Sequence, residues 1–137
     1  MSRSSYSDDI DQWDLIRWRG QVASTIRGNR GQAFLLEMWK AMQSLPEHKL
    51  IAKELEADGA VCALGSVGKA RGINMAEIDP EDYELVAKAF GIPRQLAQEI
   101  MWMNDEAWGN VQPALRFEQM KKWIEDNLRP VADDPAE

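Results

Sequence analysis

One cysteine and one histidine are the only residues of this chain that could form a thiol nucleophile and its base. A thiolate activated by a neighbouring imidazole is the usual nucleophile of cysteine-dependent enzymes. Cys62 lies where a helix is expected to begin, and the helix dipole favours a thiolate at that end. Its neighbours Val61, Ala63 and Leu64 are apolar, which instead favours a buried cysteine with a packing role. We therefore expect no catalytic residues, and an enzyme that uses Cys62 and His48 stays as an alternative.

Residues 63–70 (ALGSVGKA) come close to the phosphate-binding loop GxxxxGK[ST]. Ala63 stands in place of the first glycine, and Ala70 in place of the hydroxyl residue that would bind magnesium. Both differences remove function, and close helix packing explains Gly65 and Gly68 instead. One histidine and one cysteine also cannot form a structural zinc site. The sequence therefore predicts no cofactor and no metal.

The clearest charge feature is the stretch from Leu15 to Gly31 (LIRWRGQVASTIRGNRG), which has four arginines and no acidic residue in a chain of net charge -7. An anionic partner would bind there. Each residue of an ideal helix advances by about 100°, so Arg17, Arg19 and Arg27 point in different directions and form no continuous stripe. What remains is a smaller candidate site at the turn after the first helix. We expect Arg27 and Arg30 to contact a partner there, with Arg17 as a further contact.

A second candidate surface lies between Met101 and Trp108 (MWMNDEAW), where two tryptophans flank acidic residues. Exposed tryptophans beside polar groups are typical of protein–protein hot spots. Core packing is the alternative for this segment, as it is for the other four tryptophans, which fall at or beside apolar stripes. The predicted partner-binding residues of this surface are Trp102, Asp105, Glu106 and Trp108. The tryptophans predicted to lie in the core are Trp13, Trp18, Trp39 and Trp123.

Residues 86–96 (VAKAFGIPRQL) have the glycine spacing of a helix-turn-helix. A plain αα-hairpin needs the same glycine at its turn. The second helix would offer only Arg94, Gln95 and Gln98 to bases, and Glu99 would face phosphates unfavourably. The net negative charge also argues against phosphate binding. We therefore do not expect direct duplex binding, and a helix-turn-helix DNA-binding regulator stays as an alternative.

Length and composition favour one soluble domain. A chain of 137 residues with 45% apolar and 28% charged residues is ordinary for a globular protein. No apolar run is long enough to cross a membrane, and the first residues lack the apolar core of a signal peptide. A single cysteine suits a reducing compartment, so we expect a cytoplasmic protein.

The spacing of apolar residues predicts an all-α fold, a compact single-domain bundle of about six short helices. Residues 8–128 would form this domain, with a flexible N-terminus at 1–7 and a disordered acidic tail at 129–137. The middle of the chain is ambiguous between helix and strand, and helix is favoured. The predicted helices are Asp8–Ile26, Gln32–Leu45, Lys49–Ala57, Ala60–Gly72, Asp79–Phe90, Pro93–Met103 and Ala114–Leu128, with a loop at 104–113.

Three parts of the chain resemble a family of small proteins encoded by bacteriophages and prophages, most of them without assigned function. These parts are RWRGQVASTIRGNRGQAFL (17–35), LEADGAVCALGSVGKARGI (55–73), and DPEDYELVAKAFGI (79–92) followed by LAQEIMWMNDE. The resemblance covers most of residues 13–128. It implies a phage accessory protein in the cytoplasm of a bacterial host, which binds a host protein or nucleoprotein complex without enzymatic activity. Inhibition of a host defence complex, as by anti-CRISPR proteins, is its most concrete form. The oligomeric state and the identity of the partner stay open.

Overall fold

The computed structural model describes residues 12–128, and for residues 12–16 and 18 it describes the backbone alone. Within this range the chain forms six α-helices and one short hairpin, which confirms the prediction of an all-α bundle. The helices are α1 (Gln12–Arg27), α2 (Asn29–Gln43), α3 (Ala63–Arg71), α4 (Tyr83–Phe90), α5 (Arg94–Asp105) and α6 (Pro113–Asn127). The hairpin strands are β1 (Glu56–Ala57) and β2 (Ala60–Val61), and a 3-10 helix spans Met75–Glu77. The predicted core positions Trp13 and Trp18, and the predicted flexible segments 1–7 and 129–137, lie outside the described side chains.

All six helices contribute buried side chains to one hydrophobic core of the described region. Helix α5 is central, because it packs against α1, α3, α4 and α6. Phe34 of α2 and Phe90 of α4 meet edge to face, with ring centroids 6.5 Å apart. Trp39 and Trp123 are half-buried and pack against the core, as expected. No helix between residues 12 and 128 is long and apolar enough to cross a membrane.

The predicted helix over 49–57 is wrong, because this segment runs into the hairpin. Asp58 and Gly59 both have positive φ, at 52° and 84°, which is the backbone that a two-residue hairpin turn requires. The strands pair antiparallel with Ala57 opposite Ala60. The Asp-Gly pair therefore reverses the chain between two strands instead of ending a helix.

The ambiguous segment 60–72 contains both kinds of structure, since β2 is followed directly by α3. The helix ends at Gly72, whose φ of 75° is left-handed, as the sequence predicts. The glycines of α3 are where neighbouring chain comes closest. A Cβ atom on Gly65 would lie 1.9 Å from the Leu55 carbonyl oxygen, and one on Gly68 would lie 2.4 Å from Met75 Sδ. Close packing therefore explains the glycines that look like a phosphate-binding loop.

Three predicted helix ends are also wrong. Helix α2 begins at Asn29, not at Gln32, so Gly28 alone separates it from α1 and Arg30 lies in its first turn. Helix α4 begins at Tyr83, not near Pro80, because Asp82 is its cap and its Oδ1 accepts a hydrogen bond from Leu85 N at 3.1 Å. Helix α5 continues to Asp105, although a loop is predicted from residue 104. Asn104 and Asp105 stay helical because both side chains are buried and hydrogen-bonded inside the protein.

We predict that Gly65→Ala lowers the free energy of unfolding by about 1–3 kcal/mol or more, because the new Cβ overlaps the Leu55 carbonyl oxygen. Gly20→Ala in α1 is the matched control, since nothing lies within 4 Å of the new methyl group. That control should stabilise the protein by roughly 0.5–1 kcal/mol, as alanine does in an exposed helix. Urea unfolding measures both changes, and equal stabilities of the two variants would contradict the packing described for α3.

Candidate functional site

The first candidate site is the turn between α1 and α2, here called the Arg27–Gly31 turn. Helix α1 ends at Arg27, Gly28 is extended with φ −67° and ψ 163°, and α2 begins at the next residue. The helices approach closely, because a Cβ on Gly31 would lie 1.8 Å from the Thr25 carbonyl oxygen. Only a residue without a side chain fits this crossing. The tight connection places Arg27 and Arg30 on the surface, three residues apart.

A half-buried glutamine fixes the turn to the rest of the protein. Gln32 Nε2 donates to the Ile26 carbonyl oxygen at 2.8 Å and to the Asn127 carbonyl oxygen at 2.9 Å. One side chain thereby links the end of α1, the first turn of α2 and the end of α6. The two arginines are therefore presented from a backbone that three helices hold in place.

The charges of the turn are not neutralised by the described part of the chain. Arg27 and Arg30 are exposed and form no ion pair with any residue between 12 and 128. The first turn of α2 contains no acidic residue, and Gly28 provides no side-chain cap. The helix dipole places partial positive charge at the same end of α2. The turn therefore presents two guanidinium groups beside the positive end of a helix.

Arg17 is exposed but is not part of the turn. It lies about 15 Å from Arg27 along α1, and the two residues differ in direction by about 80° around the helix. It also makes a contact elsewhere in the chain. The predicted contact through Arg17 therefore requires a partner that extends along α1.

The second candidate surface contains one residue that the structure places inside. Asp105 is 8% exposed, and its Oδ1 accepts hydrogen bonds from Lys53 N at 3.0 Å and from Asn104 Nδ2 at 2.7 Å. A carboxylate used in this way is not available to a partner, so the expected role of Asp105 is corrected to a structural one. Trp102, Glu106 and Trp108 are half-buried.

Trp108 packs against the core with one side while part of its surface faces solvent. Core packing of Trp108 is therefore confirmed for the covered part of the ring system, and a contact through the exposed part stays a prediction. Trp102, in the last turns of α5, is also partly accessible. The accessible remainder of the second candidate surface is thus Trp102, Glu106 and Trp108.

A buried polar network, here called the Asn104 network, holds the region below this surface together. Asn104 Oδ1 accepts from Ala63 N at 3.1 Å, at the beginning of α3, and its Nδ2 donates to the Ile51 carbonyl oxygen at 2.9 Å. The Asn104 carbonyl oxygen accepts a hydrogen bond from Nη1 of the buried Arg116 in α6. Arg116 Nη2 also donates to the Val111 carbonyl oxygen at 3.3 Å. The network therefore joins α3, α5, α6 and the segment before the hairpin.

The two candidate surfaces lie at opposite ends of α6. Arg116, near its beginning, binds the Asn104 carbonyl below the tryptophan surface, whereas Asn127, at its end, binds Gln32 beside the Arg27–Gly31 turn. Eleven residues of helix separate these two anchors, a rise of about 16 Å. The structure therefore does not bring the two surfaces together into one site.

Cys62 and His48 each make contacts that have a structural role. Cys62 is 5% exposed, and its Sγ accepts a hydrogen bond from Gly65 N at 3.3 Å as the cap of α3. The ring of His48 stacks on Phe117 with centroids 4.5 Å apart, and its Nε2 lies 3.3 Å from the Gln43 carbonyl oxygen. Among the side chains that the structure describes, no three His, Cys, Asp or Glu are grouped so that they could hold a metal ion.

The pair α4–α5 has little in common with a DNA-reading unit. Gln98 is 1% exposed, and its Oε1 accepts a hydrogen bond from Arg94 Nε at 3.0 Å. Arg94 also lies 3.5 Å from a carboxylate oxygen of Glu84. Gln95 Nε2 donates to Gln21 of α1 at 3.3 Å. The residues predicted for base contact are thus engaged within the protein, which favours the αα-hairpin interpretation.

One ion pair had no sequence signature, because its partners are 34 residues apart. Arg71 binds both carboxylate oxygens of Glu37 at 2.7 Å, donates to the Phe90 carbonyl oxygen at 3.0 Å, and lies over the Phe34 ring. The hydrogen bond from Arg71 holds the pKa of Glu37 below its ordinary value. The same bond raises the pKa of Arg71. The pair ties α2 to α3 and to the end of α4.

Comparison with known protein families, with curated proteins and with solved structures gives no match to this chain. The resemblance to bacteriophage and prophage proteins therefore stays a prediction from the sequence.

We predict that Asn104→Ala lowers the free energy of unfolding by about 2–4 kcal/mol, because each buried group left without a partner costs about 1–3 kcal/mol. The groups that lose a partner are Ala63 N and the Ile51 carbonyl oxygen. Asn110→Ala, at an exposed position, is the control and should change stability by less than about 0.5 kcal/mol. Chemical denaturation followed by tryptophan fluorescence measures both, and an equally small effect at Asn104 would contradict a stabilising network.

The Glu37–Arg71 pair should make stability depend on pH. Because the folded-state pKa of Glu37 is lowered, its contribution is present above the unfolded pKa near 4.5 and is lost as pH falls through the folded pKa. Glu37→Gln should therefore destabilise the protein at neutral pH by up to about 1 kcal/mol, since the pair is partly exposed. In acid, where the carboxyl is protonated in both states, the difference should vanish. Asp126→Asn, in the more exposed Lys122 pair, should show a smaller difference; a Glu37→Gln difference independent of pH would contradict this assignment.

Proposed function

We propose that this protein is a non-enzymatic binding protein that contacts a macromolecular partner through the Arg27–Gly31 turn. The observation that carries the proposal is the pair of exposed arginines on an anchored turn, in a chain whose net charge is -7. Because the backbone of the turn is already held in place, binding to carboxylate or phosphate groups would order only the two arginine side chains. The partner would therefore present anionic groups to this turn.

The structural roles of Cys62 and His48 support a binding function over catalysis. The Cys62 thiol accepts a hydrogen bond at the cap of α3 and is almost fully covered, so a substrate would not reach it without local unfolding. The His48 ring is stacked flat on Phe117. A nucleophile and its base need mutual hydrogen bonding, and both groups here are engaged with other residues.

The sequence resemblance supplies the biological setting of the proposal. A phage accessory protein in the cytoplasm of a bacterial host would bind a host protein or a nucleoprotein complex. Inhibition of a defence complex, as by anti-CRISPR proteins, is the form we propose for its activity. A partner with exposed carboxylates or bound nucleic acid would supply the anionic groups that the turn requires.

The surface formed by Trp102, Glu106 and Trp108 is proposed as an additional contact. It is about 16 Å of helix away from the anchor of the turn, so one partner could reach both surfaces only across the length of α6. Partly exposed tryptophans are frequent at interface hot spots. A partner that uses both would therefore bury an extended face and not a single pocket.

We predict that the double variant Arg27→Ala and Arg30→Ala binds its partner at least about tenfold more weakly, since hot-spot arginines contribute more than about 1 kcal/mol each. Partners are first captured from bacterial host lysate with the wild-type protein, identified by mass spectrometry and purified, and affinities are then measured by titration calorimetry. Both arginines are exposed and unpaired within residues 12–128, so the free energy of unfolding should stay within about 0.5 kcal/mol.

The matched control is the double variant Lys49→Ala and Lys122→Ala, which removes the same charge from exposed positions elsewhere. It should bind like the wild-type protein. Equal binding by the Arg27 and Arg30 variant would show that the turn is not the contact surface.

A further inference from the structure

A shallow groove between α2 and α3 carries an exposed leucine in basic surroundings. Its floor is formed by Ala33, Leu36 and Ala70, and Leu36 is 41% exposed. The groove encloses about 780 Å³, part of it open to solvent. The apolar floor is separate from the Arg27–Gly31 turn, which lies at the beginning of α2.

The charges around this groove are positive once the internal ion pair is counted. Glu37 lines the groove, but both of its carboxylate oxygens bind Arg71 at 2.7 Å. Lys40 lines the groove, and Lys69 directly precedes the groove residue Ala70 in α3. Both lysines are exposed and form no ion pair with a described residue. We call this surface the basic groove.

A second exposed leucine lies in surroundings of the opposite sign. Leu85, on the first turn of α4, is 38% exposed and follows a stretch with five exposed acidic residues. One of them, Glu84, lies 3.5 Å from Arg94, whereas the other four form no ion pair with any described residue. We call Leu85 and the preceding residues 77–84 the acidic segment. Its five acidic residues are Glu77, Asp79, Glu81, Asp82 and Glu84.

The two surfaces are complementary in charge and alike in their apolar centre. Leu36 and Leu85 are two of only three large apolar side chains that are strongly exposed within the described region. Leu36 lies beside Lys40, which forms no ion pair with a described residue, whereas Leu85 follows five carboxylates, four of which form no such ion pair. Both leucines are exposed in the single chain, so the basic groove and the acidic segment do not cover each other within one molecule. Apolar centres with rims of opposite charge are the arrangement that gives an interface both burial and register.

We propose that the occupant of the basic groove is the acidic segment of a second copy of this chain. Leu85 of one copy would pack on the floor beside Leu36 of the other, with Glu81 and Glu84 facing Lys40 and Lys69. This self-association goes beyond the binding of a host partner and does not depend on it. The net charge of -7 opposes association at long range. At physiological ionic strength, repulsion beyond about 8 Å is screened, whereas contacts between opposite charges persist.

The contact joins two different surfaces, so a pair of copies that makes it once keeps an unused groove on one copy and an unused segment on the other. Such a contact closes into a ring or a dimer when the rotation between copies allows it, and otherwise continues as a chain of copies. Small interfaces with charged rims are weak, so we expect association in the micromolar to millimolar range, from about 10 µM to about 1 mM.

The test uses the full chain alone, in sedimentation velocity over a concentration series. The wild-type protein should associate as its concentration rises, and the association should weaken at about 1 M salt, where charges are screened beyond about 3 Å. The groove variant Lys40→Glu with Lys69→Glu, and the segment variant Glu81→Lys with Glu84→Lys, should each be at least tenfold weaker in self-association. All four positions are exposed, so both variants should fold.

Mixing the two variants provides the decisive measurement. In the mixture, the acidic groove of the groove variant can bind the basic segment of the segment variant. The unchanged acidic segment of the groove variant can also bind the unchanged basic groove of the segment variant. The mixture should therefore regain association. The control Arg19→Glu with Lys122→Glu changes the net charge as the groove variant does, at exposed positions outside the groove, and should associate like the wild-type protein. A wild-type protein that stays monomeric, a control that loses association equally, or a mixture that stays monomeric would each overturn the proposal.

Discussion

The side-chain amide of Asn104 is the interaction on which the rest of this structure depends. It accepts a hydrogen bond from the first turn of α3 and donates to the chain before the hairpin and to Asp105. Its backbone oxygen is bound by Arg116 of α6. These groups are buried, and hydrogen bonds in a medium of low dielectric are strong when complete and costly when broken. One amide therefore determines how an irregular segment and three helices fit together.

The same chemistry is repeated at the other end of α6, where Gln32 joins the ends of three helices. Charged groups complete both the interior and the surface contacts between helices. The buried Arg116 binds the Asn104 carbonyl oxygen, and the buried carboxylate of Asp105 accepts a hydrogen bond from the Asn104 amide. Arg71 joins Glu37 of α2 to the end of α4. Arg27 and Arg30 differ from these groups, because they are exposed and form no ion pair with a described side chain.

Periodic apolar residues were enough to predict α1, α2, α4 and α6, because each of these helices buries one face in the core and exposes the other. The hairpin could not be found in this way, because an Asp-Gly pair can either end a helix or form the turn between two strands. The sequence predicts a loop at Asn104 and Asp105 because it does not reveal the hydrogen bonds that bury them. Their partners, near residues 51–63, are 40 or more residues away. For the candidate site, the exposure of Arg27 and Arg30 followed from local turn signals, whereas the burial of Asp105 required the tertiary fold.

Gly31 affects not only the packing of α1 against α2 but also the relative position of Arg27 and Arg30. The absence of one carbon atom allows α2 to approach the last turn of α1, and this approach sets the distance and direction between the two guanidinium groups. The distance between the two guanidinium groups therefore depends on an uncharged residue. A side chain at this position would force the two helices apart and change that spacing without altering either arginine.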